Sequence, residues 1–326
     1  MKTPIRVAGM GMYLPGRILT NQEISQTLDT SDEWISIRTG IRERRVSGAH
    51  ETGSFMGAEA ARCAIADAGL TPADINVVMV ATFTPNRPLP ATACFIQGAL
   101  GLTHAWCFDL NAACSGFLYC LELAGGLLER HPGYNILVIG AERITPVVDW
   151  QDRSTCILFG DAATAFVVNR DPAAHHTITD IILGSDGSQA YLITTPYGGS
   201  ETPLTAANIG ERNHFMKMDG PKVFKAATKT MVAACEKILS ANHMTIEDVD
   251  WLVPHQANQR IIEAVGKRLN IDTARVYSNV ARYGNISAAS IPVALCEMRD
   301  QLKPGNTVLL TAFGAGLTWG AALVTW

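Results

Sequence analysis

Three polar residues of the sequence have the types and settings that nucleophilic catalysis needs. One of them, Cys114, lies in FDLNAACSGF, where an apolar strand-like run ends at Asn111 and a helix through Leu128 begins close to the cysteine. Unpaired amides at a helix N-terminus stabilise a thiolate, so this position predicts a thiol pKa well below ~8.5. A cysteine among small residues is also a common packing residue, so its partners must decide between the two interpretations.

The partners are a histidine and an asparagine that lie at the ends of other predicted elements. His255 follows the apolar strand DWLV in VPHQANQRI, and Asn285 lies in RYGNISAASIP, in a loop before a small-residue helix. Taken singly, such loop residues commonly satisfy nearby backbone groups. Their occurrence together with Cys114 favours a nucleophile assisted by two polar groups.

The composition restricts the class of protein. The chain has 326 residues, of which 48% are apolar and only 17% are charged, against about 25% charged in a typical soluble protein. Much of the chain is therefore expected to be interior or interface, and an oligomer is plausible. The net charge of −4 provides no general attraction to nucleic acid or to an acidic membrane. No apolar stretch of about 20 residues and no signal-like N-terminus is present, so we expect a soluble cytoplasmic protein.

The cysteines exclude two further classes. The sequence has eight, and no CxxC pair occurs among them. This pattern fits neither a zinc site nor a small disulfide-stabilised scaffold. Most of the eight are expected to be buried free thiols.

Helical and strand patterns alternate along the whole chain, which predicts an α/β fold. Apolar runs without polar alternation indicate strands that are covered on both faces. These runs are INVVMVAT (75–82), YNILVIGA (134–141), TAFVV (164–168) and NTVLLTAF (306–313). Apolar residues at helical spacing predict helices over 117–128 and 221–239.

The sequence also resembles itself at an offset of 174 residues. LTPADINVVMVAT (70–82) can be aligned at this offset with MTIEDVDWLVPHQ (244–256), and at a different offset LFGDAATAFVV (158–168) resembles AFGAGLTWGAALV (312–324). Generic helix-turn-strand units can show such similarity by chance. We interpret it as two related halves, 1–172 with the cysteine and 173–326 with the histidine and asparagine.

Motifs along almost the whole chain resemble those of the β-ketoacyl-acyl-carrier-protein synthase III family. They are TSDEWISIRTGIRER, FDLNAACSGF, DRSTCILFGDAATA, VPHQANQRI, RYGNISAAS and AFGAGLTWGAAL, and they occur in the family's order. The resemblance implies the thiolase fold, with two related α/β halves in a five-layer αβαβα arrangement, and a homodimer. It also implies decarboxylative Claisen condensation of an acyl-CoA starter with malonyl-acyl carrier protein. The product is a 3-oxoacyl-acyl carrier protein that initiates fatty acid synthesis.

The resemblance assigns a role to each reactive residue. Cys114 matches the nucleophile that accepts the acyl group, and His255 and Asn285 match the pair that bonds to the malonyl thioester carbonyl. The backbone amide of Ala315 matches an oxyanion donor that acts beside the amide of Cys114, and Phe313 matches an aromatic residue that shapes the site. Coenzyme A thioesters serve as substrates, and no metal or other cofactor is implied.

The resemblance also identifies residues for substrate binding. Positions that contact coenzyme A fall on Trp34, Arg38, Arg153 and Asn258, a set in which an aromatic ring and arginines suit a flat base with phosphates. Read without the family, Trp34 could equally be a core residue and the arginines could be solvated. Leu89 occupies the position where many relatives have a phenylalanine that closes the acyl tunnel across the dimer. Because leucine is smaller than phenylalanine, the sequence does not indicate which length of acyl chain is accepted.

A group of basic residues on two predicted neighbouring helices suits an acidic carrier protein, although a solvated helix face has the same pattern. The group is Lys222, Lys225, Lys229, Arg260, Lys267 and Arg268.

Three rival functions make different predictions. A related enzyme of a polyketide or other secondary pathway would use a different starter or acceptor, and fold alone does not exclude it. A nucleotide-binding module is suggested by the early GMGMYLPG, but this segment has Leu14 where GxGxxG requires a glycine. A catalytically inactive relative would be expected to lack one of the three reactive residues, and all three are present.

Overall fold

Helices and strands alternate throughout a computed structural model that describes residues 4–174 and 176–326. The strands are β1 (Ile5–Tyr13), β2 (Arg17–Thr20), β3 (Glu43–Val46), β4 (Val77–Ala81), β5 (Trp106–Leu110), β6 (Ile136–Arg143), β7 (Asp161–Asn169), β8 (His176–Ser185), β9 (Ile193–Thr194), β10 (Lys217–Met218), β11 (Trp251–Pro254), β12 (Thr307–Gly314) and β13 (Thr318–Thr325). The helices are α1 (Asn21–Ile24), α2 (Asp32–Thr39), α3 (Gly53–Asp67), α4 (Thr92–Leu100), α5 (Gly116–Arg130), α6 (Gly220–Ala241), α7 (Gln259–Arg268), α8 (Val280–Tyr283) and α9 (Ser290–Met298). No helix in these two ranges is long and apolar enough to cross a membrane.

The main sheet is mixed and has the strand order β11-β12-β13-β8-β1-β7-β6-β4-β5. On one side of the β8–β1 pair, β4 runs parallel to β5 and β6, and on the other side β11 runs parallel to β12. All residues of β4 and β7 are buried, as the uninterrupted apolar runs predicted. The predicted strands and both predicted helices are confirmed, with small differences at their ends.

The apolar clusters arrange these elements in five layers. Helices α5 and α9 share one cluster with the facing sides of strands from both halves, so they form the central layer. Helices α3 and α4 pack on the outer face of β4, β6 and β7, and helices α6 and α7 pack on the outer face of β11, β12 and β13. The predicted αβαβα fold is confirmed. The catalytic segments enter the central layer from the two halves.

Repeated local structure accompanies the sequence repeat. Thr71 and Asp74 form a capping box before β4, and Thr245 and Asp248 form the same capping box before β11. The two boxes are 174 residues apart, which is the offset read from the sequence. This agreement supports two related halves, while the division into 1–172 and 173–326 stays a prediction.

The prediction that most cysteines are buried was wrong. All eight are free, but only Cys120, Cys156 and Cys235 are buried, and Cys63 is exposed. Cys63 lies on the outward face of α3, next to the exposed Arg62. The apolar character of cysteine alone did not reveal which helix face each one occupies.

Candidate active site

A cavity of about 990 Å³ opens between the two halves, and Cys114, His255 and Asn285 all line it. Six other residues predicted for the site also line it: Trp34, Arg38, Arg153, Asn258, Phe313 and Ala315. No group of three or more His, Cys, Asp or Glu side chains within 4–174 and 176–326 is arranged to hold a metal ion. The cavity therefore gathers the predicted reactive, site-shaping and coenzyme A-binding residues.

Cys114 sits in a tight turn at the beginning of a central helix. The 3-10 turn Ala113–Ser115 leads directly into α5, and Ala113 has a φ of 45°. A β-carbon at Gly314 would lie 2.7 Å from the backbone nitrogen of Cys114, so glycine is needed there. This close approach brings the amide of Cys114 next to the turn that contains Ala315.

The Asn285 turn repeats the Cys114 turn at the same offset of 174 residues. The N–H of Ala113 donates to Oδ1 of Asn111 at 3.2 Å, and the N–H of Ser287 donates to Oδ1 of Asn285 at 2.8 Å. Ser287 has a φ of 48°, close to that of Ala113. Cys114 and Asn285 thus lie on corresponding turns of the repeat.

The thiol pKa of Cys114 differs from the prediction. The helix N-terminus lies where the sequence placed it, but burial raises the pKa of the Cys114 thiol to about 12. Contact with the Ser287 hydroxyl acts in the opposite direction and is weaker. Desolvation of the thiolate is the largest of the causes that act on this pKa. The thiol consequently needs a group that accepts its proton.

His255 follows β11 and is held by a serine of the central layer. Its Nδ1 lies 2.6 Å from Oγ of Ser290, and that oxygen also accepts a longer bond, 3.4 Å, from the N–H of Gln256. When the Ser290 hydroxyl donates to Nδ1, the ring proton lies on Nε2, and this is the tautomer that we assign to His255. Burial lowers the pKa of His255 to about 3, so the ring is neutral at pH 7. Nε2 is buried and has no hydrogen-bond partner among the described residues.

Asn285 is oriented by its own turn. Since Oδ1 accepts the N–H of Ser287 at 2.8 Å, the amide Nδ2 is left as the side chain's donor. The backbone of Asn285 is fixed as well, because its N–H donates to the carbonyl of Leu158 at 2.7 Å. The site therefore contains a thiol, a neutral imidazole donor and an amide donor, each held by a separate contact.

Aromatic and basic groups line another part of the cavity. The guanidinium carbons of Arg38 and Arg153 lie 4.5 and 5.0 Å from the ring centroid of Trp34. Nδ2 of Asn258 donates to the carbonyl of Arg38 at 3.3 Å, and its Oδ1 caps α7. A flat ring with two cations is well suited to bind a nucleotide.

Comparisons with known proteins agree with this geometry. The profile of "3-Oxoacyl-[acyl-carrier-protein (ACP)] synthase III" matches residues 108–187, and that of the family's C-terminal part matches 239–326. The β-ketoacyl-[acyl-carrier-protein] synthase III of Nitratidesulfovibrio vulgaris is 47% identical over 99% of both chains. The chain belongs to the synthase III family.

Two solved structures have the same fold. The synthase III of Aquifex aeolicus VF5 is 41% identical, with a TM-score of 0.89 over 99% of this chain and 100% of that one. The priming β-ketosynthase of the R1128 polyketide biosynthetic pathway is 35% identical, with a TM-score of 0.90 over 98% of this chain and 96% of that one. These matches confirm the thiolase-type fold of the synthase III family.

The residue predicted for the acyl pocket lies outside the cavity of its own chain. Leu89 is 84% exposed and does not line the cavity, so this chain does not bring it to Cys114. The sequence prediction required a second copy to supply this residue, and that part stays a prediction. The structure describes one chain only.

The predicted basic group lies on the neighbouring helices α6 and α7. All six side chains are exposed. Lys222 forms an ion pair with Asp219 at 2.8 Å, and Arg268 donates to Oγ1 of Thr228 at 3.1 Å. Arg260 also lines the cavity and thereby connects the basic group with the site.

Sequence reasoning missed one wall of the cavity. Ile193, Met216 and Met218 line it, and they come from the segment between β8 and α6. The alternation of Met216, Lys217 and Met218 before the helix cap Asp219 is the available sequence signal. Without knowledge of the fold, this signal does not indicate which surface the methionines cover.

Proposed function

We propose that this enzyme condenses an acyl-CoA starter with malonyl-acyl carrier protein and releases carbon dioxide. The product is a 3-oxoacyl-acyl carrier protein, and the reaction is the first condensation of fatty acid synthesis. One observation carries the proposal: a thiol, a neutral imidazole donor and an amide donor line the same cavity. This set suits a reaction in which one group takes up an acyl chain and the other two stabilise an enolate.

In the first half-reaction, the Cys114 sulfur attacks the thioester carbonyl of acyl-CoA. The carbonyl oxygen becomes negatively charged, and the backbone amides of Cys114 and Ala315 are the proposed donors to it. Support comes from the close approach of Gly314 to the amide of Cys114. The carbon–sulfur bond to coenzyme A then breaks, and the acyl group remains on Cys114.

In the second half-reaction, the malonyl thioester oxygen accepts hydrogen bonds from Nε2 of His255 and Nδ2 of Asn285. Loss of carbon dioxide leaves the electron pair of the broken bond in an enolate, whose oxygen these two donors stabilise. The enolate carbon attacks the acyl carbonyl on Cys114, and the thiolate leaves. Neither half-reaction requires a metal or a further cofactor.

Both substrates would enter by the same route. We assign the nucleotide part of coenzyme A to Trp34, Arg38 and Arg153, and its pantetheine part to Asn258. Basic residues on α6 and α7 are the proposed docking site for the acidic carrier protein, whose pantetheine arm would pass Arg260. Such electrostatic docking is expected to weaken as the salt concentration rises.

We further propose a cytoplasmic homodimer. The strand β5 lies at an edge of the main sheet, and its first residue, Trp106, is 45% exposed. Unpaired edge strands with exposed apolar residues are suited to pair with another chain. The highly exposed Leu89 would then be covered by the partner subunit.

A second candidate is a condensing enzyme of a polyketide or other secondary pathway, with a different starter or acceptor. The relative named for a polyketide pathway is 35% identical, whereas the N. vulgaris synthase III is 47% identical. This difference favours the initiation of fatty acid synthesis.

The test is to incubate the purified protein with a panel of acyl-CoA thioesters and to measure its intact mass. Malonyl-acyl carrier protein is then added, and the 3-oxoacyl product is quantified. We expect an acyl adduct on Cys114, no adduct in Cys114→Ala, and product only when both substrates are present. Absence of any adduct with every acyl-CoA would contradict the proposal.

A further inference from the structure

A buried carboxyl group next to the nucleophile has no role in the mechanism described so far. Glu142 lies near the end of β6 and is fully buried. It accepts hydrogen bonds from Oγ1 of Thr84 at 2.6 Å, Oγ1 of Thr82 at 3.2 Å and the N–H of Phe83 at 3.3 Å. Within 4–174 and 176–326 it forms no ion pair, so its charge is not balanced by a cation.

Ser287 lies between this carboxyl group and the thiol. Its hydroxyl is buried and has no hydrogen-bond partner among the described residues, and its proximity lowers the pKa of both Cys114 and Glu142. The strand that carries Glu142 packs directly on this turn, because a β-carbon at Gly140 would lie 2.9 Å from the carbonyl oxygen of Ala288. A buried hydroxyl on this turn that has no other partner among the described residues is therefore available to bridge the two groups.

The reaction needs a proton acceptor that the other residues do not provide. Burial raises the pKa of Cys114 to about 12 and lowers that of His255 to about 3, so the imidazole is a weak base. Burial raises the pKa of Glu142 to about 7. A general base is most effective when its pKa lies near the working pH, which favours the carboxylate over the imidazole.

We propose that Glu142 acts as the general base for acyl loading and receives the thiol proton of Cys114 through the Ser287 hydroxyl. This role deepens the proposed function and depends on it. The proton of Sγ passes to Ser287 while Ser287 passes its own proton to Glu142, and the sulfur forms its bond to the acyl carbon. When the carbon–sulfur bond to coenzyme A breaks, the reverse transfer returns the proton to the departing sulfur. Overall, one proton moves from the sulfur of Cys114 to that of coenzyme A.

The groups around Glu142 allow its titration to be distinguished from the titration of its neighbours. Those that face it are the hydroxyls of Thr82, Thr84 and Ser287 and the thiol of Cys114. The adjacent Arg143 points elsewhere, with Nε 3.0 Å from Oγ of Ser47. A rise of the loading rate through about pH 7 therefore reports on Glu142, because its ionised form is the active one.

The decisive variant is Glu142→Gln, which keeps the size of the side chain and removes the base. Loading from acyl-CoA is measured in a single turnover by intact mass between pH 5.5 and 9. General base catalysis contributes roughly 10²- to 10⁴-fold, so we expect loading at least about 10-fold slower and without the rise through pH 7. Glu51→Gln is the matched control, because Glu51 is also buried but contacts Tyr13 and Gly48 instead. It should load like the parent.

Ser287→Ala tests the bridge and keeps the proposal testable if Glu142→Gln does not fold. Alanine is compatible with this backbone, because Ala113 has nearly the same φ on the related turn. The substitution also keeps the hydrogen bond from the main-chain N–H at position 287 to Oδ1 of Asn285. We expect slow loading, and condensation close to the parental rate once the enzyme has been fully acylated. Parental loading with an unchanged pH profile in either variant would overturn the relay. Loading by Cys114→Ala would instead contradict the proposed function itself.

Discussion

The hydroxyl oxygen of Ser290 lies 2.6 Å from Nδ1 of His255, and both side chains are buried. Ser290 is the first residue of helix α9 in the central layer, whereas His255 directly follows β11, a strand of the main sheet. The contact therefore joins two elements at the site, and with the hydroxyl as the donor it leaves the ring proton on Nε2. Nε2 is left as a donor without a competing partner among the described residues.

Ser290→Ala should weaken condensation through the tautomer of His255. Without the hydroxyl, the neutral ring can place its proton on either nitrogen, and a hydrogen bond of about 1 kcal/mol corresponds to a roughly 5- to 10-fold lower kcat. KM for malonyl-acyl carrier protein should change little, and Ser290→Thr should restore part of the rate. Steady-state kinetics measure both constants. An unchanged kcat in Ser290→Ala would show that another contact sets the tautomer.

Asn285→Asp should separate the two functions of the asparagine side chain. The carboxylate can still accept the N–H of Ser287, but it lacks the Nδ2 donor and adds a negative charge near the enolate. We expect condensation to fall by about 10²-fold or more, the scale of one lost oxyanion donor. Acyl loading, measured by intact mass, should largely survive. A variant that loads and condenses like the parent would remove Asn285 from the mechanism.

Glu142 should also affect stability in a pH-dependent way that requires no activity assay. Its pKa is raised from 4.5 to about 7 by burial, so the folded state binds this proton more tightly than the unfolded state does. Its favourable contribution is present below about pH 4.5 and is lost as the pH rises through 7. Glu142→Gln should gain stability relative to the parent between pH 5 and pH 8.5, by up to about 3 kcal/mol. Urea unfolding at both pH values measures this, with Glu51→Gln as the control, and a pH-independent difference would contradict it.

The sequence predicted the framework well because each half is built from strongly patterned elements. Strand β4 is apolar throughout and β6 is apolar up to Ala141, since layers cover both of their faces, and this pattern is visible without a structure. The sequence also singled out Cys114, His255 and Asn285, which line one cavity, because each follows an apolar strand or precedes a small-residue helix. The repeat placed Cys114 and Asn285 on related halves.

Features that depend on distant contacts could not be predicted. The thiol pKa is governed by burial of Cys114 against the Ser287 turn, 173 residues away in the chain, and no local pattern encodes that desolvation. The wall formed by Met216 and Met218 belongs to a segment of short turns and two-residue strands. Glu142 was overlooked because a single glutamate after an apolar run has the pattern of the solvent-exposed end of a strand.

Leu89→Phe should narrow the range of acyl chains only if a partner subunit places this residue at the cavity. Within one chain Leu89 is 84% exposed and outside the cavity, so a larger side chain there has no local reason to affect loading. In a dimer that covers it, phenylalanine would occupy volume at the end of the acyl tunnel and exclude longer or branched chains. Intact-mass profiles over straight and branched acyl-CoA thioesters measure the range, and Leu123→Phe is the control, because Leu123 is exposed on α5 and does not line the cavity. A narrowed range in Leu89→Phe alone, together with a dimeric mass in solution, supports the shared tunnel. An unchanged profile would show that residues of the same chain, such as Met216 or Met218, set the length.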